Sequence, residues 1–116
     1  MNYKDALTTA IAGWNTDPIE DEWLFERFRD EFVETMSPSE AFDSFGDTVV
    51  LLMQEADEST ATEILQTLIA LARRSQTTEV PSVLAENMDA IAAQFRDYGD
   101  YARSKLAELR LYYRIA

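Results

Sequence analysis

Thr60-Ala61-Thr62-Glu63-Ile64-Leu65-Gln66-Thr67-Leu68-Ile69-Ala70-Leu71-Ala72-Arg73-Arg74 is the stretch that decides the fold. A hydroxyl residue followed three positions later by glutamate reads as a capping box, so Thr60 and Glu63 predict a helix start. Ile64, Leu65, Leu68, Ile69, Leu71 and Ala72 then recur at helical spacing. Arg73 and Arg74 sit where cations favour the negative end of the helix dipole. Beyond them, 75–79 is a polar linker, and Pro81 opens a fifth helix with Val83, Leu84, Met88, Ile91, Ala92 and Phe95 on one face. Tyr98-Gly99-Asp100 breaks the chain before a last helix carrying Tyr101, Leu106, Leu109, Tyr112, Tyr113 and Ile115.

Upstream the same punctuation recurs. Residues 2–13 carry Tyr3, Ala6, Leu7, Ala10 and Ile11 at helical spacing, with Gly13 as a stop. Asp17 and Pro18 predict the cap and first position of a second helix, with an aromatic face of Trp23, Phe25, Phe28 and Phe32. Ser37-Pro38-Ser39-Glu40 forms another capping box, opening a helix through Phe42, Phe45, Val49 and Leu52 that Gly46 divides or kinks. Nothing alternates with period two between hairpin signals. The fold class is therefore all-α, with about six helices as antiparallel pairs. Either a short HEAT-like solenoid or a compact helical bundle satisfies that pattern, and no fixed-period repeat chooses between them. The 116 residues read as one domain, 1–116, whose expected core includes Leu7, Ile11, Trp23, Phe28, Phe32, Leu52, Leu65, Leu68, Leu84, Ile91, Leu106 and Leu109.

Composition excludes most enzyme designs. The chain has no cysteine and no histidine, which removes thiol nucleophiles, disulfides, imidazole metal sites and the Ser-His-Asp triad. Three glycines cannot make a phosphate loop. Asp43-Ser44-Phe45-Gly46-Asp47 lacks the ligand spacing of an EF-hand. No catalytic residue, cofactor or metal ligand is assigned. The longest apolar run, 48–53, is far shorter than the ~20 residues of a membrane span. The polar start lacks an export signal, so the expected location is the cytoplasm.

Charge is the informative feature. The net charge is -12, from 22 acids and 10 bases. Residues 1–60 hold 15 of the acids and only Lys4, Arg27 and Arg29; residues 61–116 hold seven of each sign. Solubility alone does not require such asymmetry. Glu22, Glu26, Asp30 and Glu34 follow at i, i+4 spacing and predict one carboxylate column, which like-charge repulsion destabilises by about 0.2–0.5 kcal/mol per pair. Arg27–Glu31 and Glu26–Arg29 contacts would relieve part of this. Glu20, Glu22, Glu26, Asp30, Glu31 and Glu34 are the candidate partner-binding residues, facing a positively charged protein. Nucleic acid is disfavoured as a partner because basic clusters are lacking. Arg103, Lys105, Arg110 and Arg114, interleaved with tyrosines, are expected to pair with the acidic half and to make cation–π contacts.

The segments Ala70-Leu71-Ala72-Arg73-Arg74-Ser75, Thr77-Thr78-Glu79-Val80-Pro81 and Leu109-Arg110-Leu111-Tyr112-Tyr113-Arg114-Ile115 resemble small helical immunity proteins of bacterial polymorphic toxin and contact-dependent growth-inhibition systems. The resemblance covers roughly the C-terminal half. It implies a cytosolic protein that blocks the active site or substrate groove of one cognate toxin domain, often a basic nuclease. Two other readings use the same residues. A DNA-mimic inhibitor would present the acidic surface to a nucleic-acid enzyme, and a helical adaptor would use an apolar groove with Trp14 or Trp23 as anchors.

Overall fold

A helix begins where its first free amides find acceptors, and in the decisive stretch that acceptor is Asp57. Its carboxylate receives the Thr60 amide at 2.9 Å, so the helix starts at Glu58, ahead of the expected Thr60. Glu63 does not close a box on Thr60; it turns instead toward Arg29 at 3.8 Å. The computed structural model describes residues 2–16 and 22–115. These form α1 (Tyr3–Thr16), α2 (Leu24–Phe28) continuing into a π-helical turn (Arg29–Val33), α3 (Pro38–Asp43), α4 (Phe45–Gln54), α5 (Glu58–Ser75), α6 (Ser82–Phe95) and α7 (Asp100–Tyr112). No strand occurs among the described residues.

The capping box at Ser37 forms: its hydroxyl accepts the Glu40 amide at 3.2 Å, and the Glu40 carboxylate accepts the Ser37 amide at 2.9 Å. The Ser37 amide, helped by the Ser37 hydroxyl, stabilises the charged form and holds the Glu40 carboxyl below its ordinary range. The expected single helix after it is divided at Ser44 rather than Gly46. Gly13 does not stop α1 but lies inside it, where a Cβ would come within 3.3 Å of Leu24 Cδ2. Its bareness lets α2 approach. The expected cap of the second helix at Asp17 and Pro18 lies outside the described residues.

The helices pack as a bundle about α5, not as a solenoid. Repeats of a solenoid touch only their sequence neighbours. Here α5 packs on α1, the π-turn, α3, α4 and α7, and α6 packs on α4 as well as α7. The thin dimension of 19 Å corresponds to two helix layers at roughly 8–10 Å spacing. Ile64, Leu65, Leu68 and Leu71 of α5 are fully buried, among Phe45, Val49, Leu52, Leu84, Ile91, Phe95 and Leu109. A smaller cluster joins α1 to α2 through Leu7, Ala10, Phe25 and Phe28. Trp23, expected in the core, is 57 % exposed, and Phe25 takes the buried position. Ile11 and Phe32 are only half-buried.

Polar groups close the joints between these layers. Gln94 Nε2 donates to the Leu52 and Glu55 carbonyls at 2.8 and 3.1 Å, satisfying the open end of α4. Arg74 Nε donates to the Met36 carbonyl at 2.6 Å, and Tyr112 donates to the Ala72 carbonyl at 2.9 Å. Tyr3 and Thr48 bond hydroxyl to hydroxyl at 2.7 Å between α1 and α4. Burial there raises the Tyr3 phenol well above its ordinary value.

Candidate functional site: the acidic face of α2

The α2 segment has to serve two cores. Phe25 and Phe28 belong to the α1–α2 cluster, whereas Val33 and Met36 belong to the core around α5. An uninterrupted α-helix would bury Phe32, four residues after Phe28. The π-turn inserts one residue instead, marked by the Glu34 amide donating to the Arg29 carbonyl at 3.0 Å, an i→i+5 bond. Val33 is thereby fully buried, and Phe32 is left half-buried, stacked on Phe28 with ring centroids 5.4 Å apart.

The same insertion resets the phase of the helix beneath the predicted carboxylate column. Residues after the turn are rotated by about 100° relative to a continuous α-helix. Glu22, Glu26, Asp30 and Glu34 are all exposed, as is Glu31, so the exposed positions keep i, i+4 spacing through the turn. Glu20 lies outside the described residues.

Arg29 does not relieve the carboxylates of its own segment. It reaches α5, where its Nη1 lies 3.8 Å from Glu63 Oε2, 3.4 Å from the Glu63 carbonyl and 3.5 Å from Thr67 Oγ1. Burial pushes the Glu63 carboxyl up, the Arg29 guanidinium pulls it back, and the charge of Glu26 pushes it up further. The charge of Glu26 is thus felt at Glu63 on α5. Three bases of the C-terminal half pair elsewhere. Arg73 pairs with Glu108 at 2.5 Å, Lys105 with Glu108 at 3.3 Å, and Arg103 with Asp100, all inside the C-terminal half. The expected cation–π contact is present, with Lys105 Nζ 5.5 Å from the Tyr101 ring centre.

Beside this face lies a cleft of about 450 Å³ that sequence reasoning missed. Trp14 and Tyr101 stand in its wall with Glu58, Glu63 and Gln66. Trp14 Nε1 donates to Ser59 Oγ at 3.2 Å, and Glu58 accepts the Gly99 amide at 3.1 Å. These residues come from α1, α5 and α7, far apart in the chain (Gln66 and Tyr101 are 35 positions apart), so no local motif announces them. Aromatic faces beside carboxylates suit a guanidinium or ammonium group. Among the described residues, no group of three or more carboxylates is placed to hold a metal ion, and no helix is long and apolar enough to cross a membrane. Comparison of the chain with family models, curated proteins and solved structures gave no match.

Proposed function

We propose that this protein is an acidic binding protein that neutralises a basic protein domain, as a bacterial immunity protein neutralises its toxin. The observation that carries the reading is the exposed acidic surface of α2 and the π-turn, while Arg73, Arg103 and Lys105 of the C-terminal half pair with Glu108 and Asp100 instead. Carboxylates spread over a helical surface take the place of the phosphates that a basic nuclease groove attracts, and long-range attraction speeds encounter. Glu22, Glu26, Asp30, Glu31 and Glu34 make the first contacts, with Glu20 continuing the acidic run in sequence. Lysine or arginine side chains of the partner enter the Trp14–Tyr101 cleft toward Glu58 and Glu63. The protein acts in the cytoplasm, without cofactor, metal or catalysis of its own.

The test takes the product of a neighbouring toxin-like gene as partner and measures binding and protection of cells that express it. A Glu26→Lys/Asp30→Lys variant should lose at least tenfold in affinity while keeping its melting temperature. Wild-type affinity should fall steeply with salt. Unchanged affinity of the variant at low salt would overturn the proposal. Displacement of duplex DNA from the partner would identify a DNA-mimic mode, in which the same face covers a nucleic-acid groove.

A further inference from the structure

The walls of the cleft between α1, α5 and α7 hold one another in place. Glu58, Ser59, Thr62, Glu63 and Gln66 line it from just over two turns of α5, about 12 Å along the axis, and no base is among the lining residues. The Gly99 amide, in the turn between α6 and α7, donates to Glu58 Oε2 at 3.1 Å. A Cβ at Gly99 would stand 3.3 Å from that same oxygen, so the bare residue lets the turn close on the carboxylate. Ser59 Oγ accepts the Trp14 indole N–H at 3.2 Å, and Gln66 Nε2 donates to the Tyr101 hydroxyl at 3.3 Å. Trp14 also packs edge-on against Phe25, with ring centroids 5.5 Å apart. Indole, carboxylate and amide are thus set before any ligand arrives.

We infer that this cleft is a socket for one arginine side chain of a protein partner, and that it discriminates against lysine. Charge sets the sign of the ligand. Glu63 already answers to Arg29 at 3.8 Å, whereas no cation pairs with Glu58 among the described residues. A carboxylate offers about four acceptor sites, and the Gly99 amide takes one of them. Shape sets the kind of cation. A guanidinium is planar and weakly hydrated, and it stacks on indole while its forked N–H groups reach a carboxylate. An ammonium is a compact, strongly hydrated point charge. Tyr101 already carries Lys105 at 5.5 Å from its ring centre, so stacking falls to the Trp14 indole. The volume of about 450 Å³ lies in the range of small-ligand clefts and admits a whole side chain. The origin of the arginine rests on the basic-partner reading, whereas the preference for it is a property of this chain alone.

The experiment follows the indole N–H resonances of Trp14 and Trp23 in the full chain, assigned with a Trp23→Phe variant. The probes are N-acetyl-arginine methylamide, its lysine counterpart and free arginine, each at a fixed ionic strength of about 0.15 M. The blocked arginine should shift the Trp14 signal saturably, with half-saturation at ~1–10 mM, and leave the Trp23 signal in place. The lysine counterpart should bind roughly tenfold more weakly. Glu58→Gln, at an exposed position, keeps an acceptor for the Gly99 amide. Its melting curve should therefore match wild type while arginine binding falls about tenfold. Equal binding of the two blocked probes, no saturable shift, or a shift untouched by Glu58→Gln overturns the inference. So does tighter binding of free arginine than of the blocked form, which would make the occupant a free amino acid. The Glu26→Lys/Asp30→Lys assay measures affinity for the partner, and this titration probes the cleft without one, so failure of either is distinguishable from failure of the other.

Discussion

Helix α5 and the α2 segment have similar ingredients and opposite outcomes. α5 runs 18 residues from a hydrogen-bonded Asp57 cap to Gln76, which ends it in a left-handed conformation at φ 57°. Its apolar residues meet neighbours on several sides, so it is the axis about which the other helices pack. α2 is five residues long, lacks a side-chain cap bond, and turns π-helical to satisfy two separate cores. Its acids crowd a short exposed surface that contributes little to holding the fold. Under the proposed function, stability and recognition are carried by different segments, joined through buried Val33 and the Arg29–Glu63 pair.

Four kinds of change probe that division, and the largest effect belongs to α5. Leu68→Ala removes a fully buried side chain from the main core and should cost about 2–5 kcal/mol, seen as a lower denaturation midpoint. A loss below ~1 kcal/mol would mean that α5 is not the axis of the fold. Next comes the joint. Arg29→Ala leaves the half-buried Glu63 carboxylate without its cation and should cost roughly 1–3 kcal/mol at neutral pH.

That joint also has a pH signature. Glu63 holds its proton more tightly folded than unfolded, because burial outweighs the pull of Arg29. A raised carboxyl pKa makes this residue's contribution most favourable in acid. It falls as pH rises from the ordinary carboxylate range through the folded value. Glu63→Gln should flatten that part of the stability–pH curve, and Arg29→Ala should steepen it. An unchanged curve in both variants would dissolve the coupling.

The cap comes third: Asp57→Ala should cost ~1 kcal/mol, since it frees the Thr60 amide. Thr60→Ala should leave that amide bond in place, in keeping with Asp57 as the true helix start. The smallest effect belongs to the acidic segment. Glu26→Gln/Asp30→Asn should move stability by no more than a few tenths of a kcal/mol, toward stabilisation, because it removes like-charge repulsion. A loss as large as that of Leu68→Ala would make the segment structural and undo the contrast.

Helix positions were largely legible because their signals are local. Ser37 and Glu40, the prolines at 38 and 81, and the Gly99 break act within one turn, so a short window contains the whole cause. Trp23 went to the wrong side for a different reason. An aromatic at helical spacing is equally consistent with burial and exposure until the helix phase is known. The π-turn changes the phase further along, leaving Phe32 half-buried, and it has no residue signature.

The sequence by itself determined the helical class, most helix starts and the concentration of negative charge in residues 1–60, since capping, periodicity and composition are properties of neighbouring residues. Only the tertiary structure decided that α5 is central, that Arg29 faces Glu63, and that three arginines converge between α6 and α7. Those facts depend on which helices share a contact. Packing decides this through the summed burial of side chains far apart in the chain, and no short window of residues contains that sum.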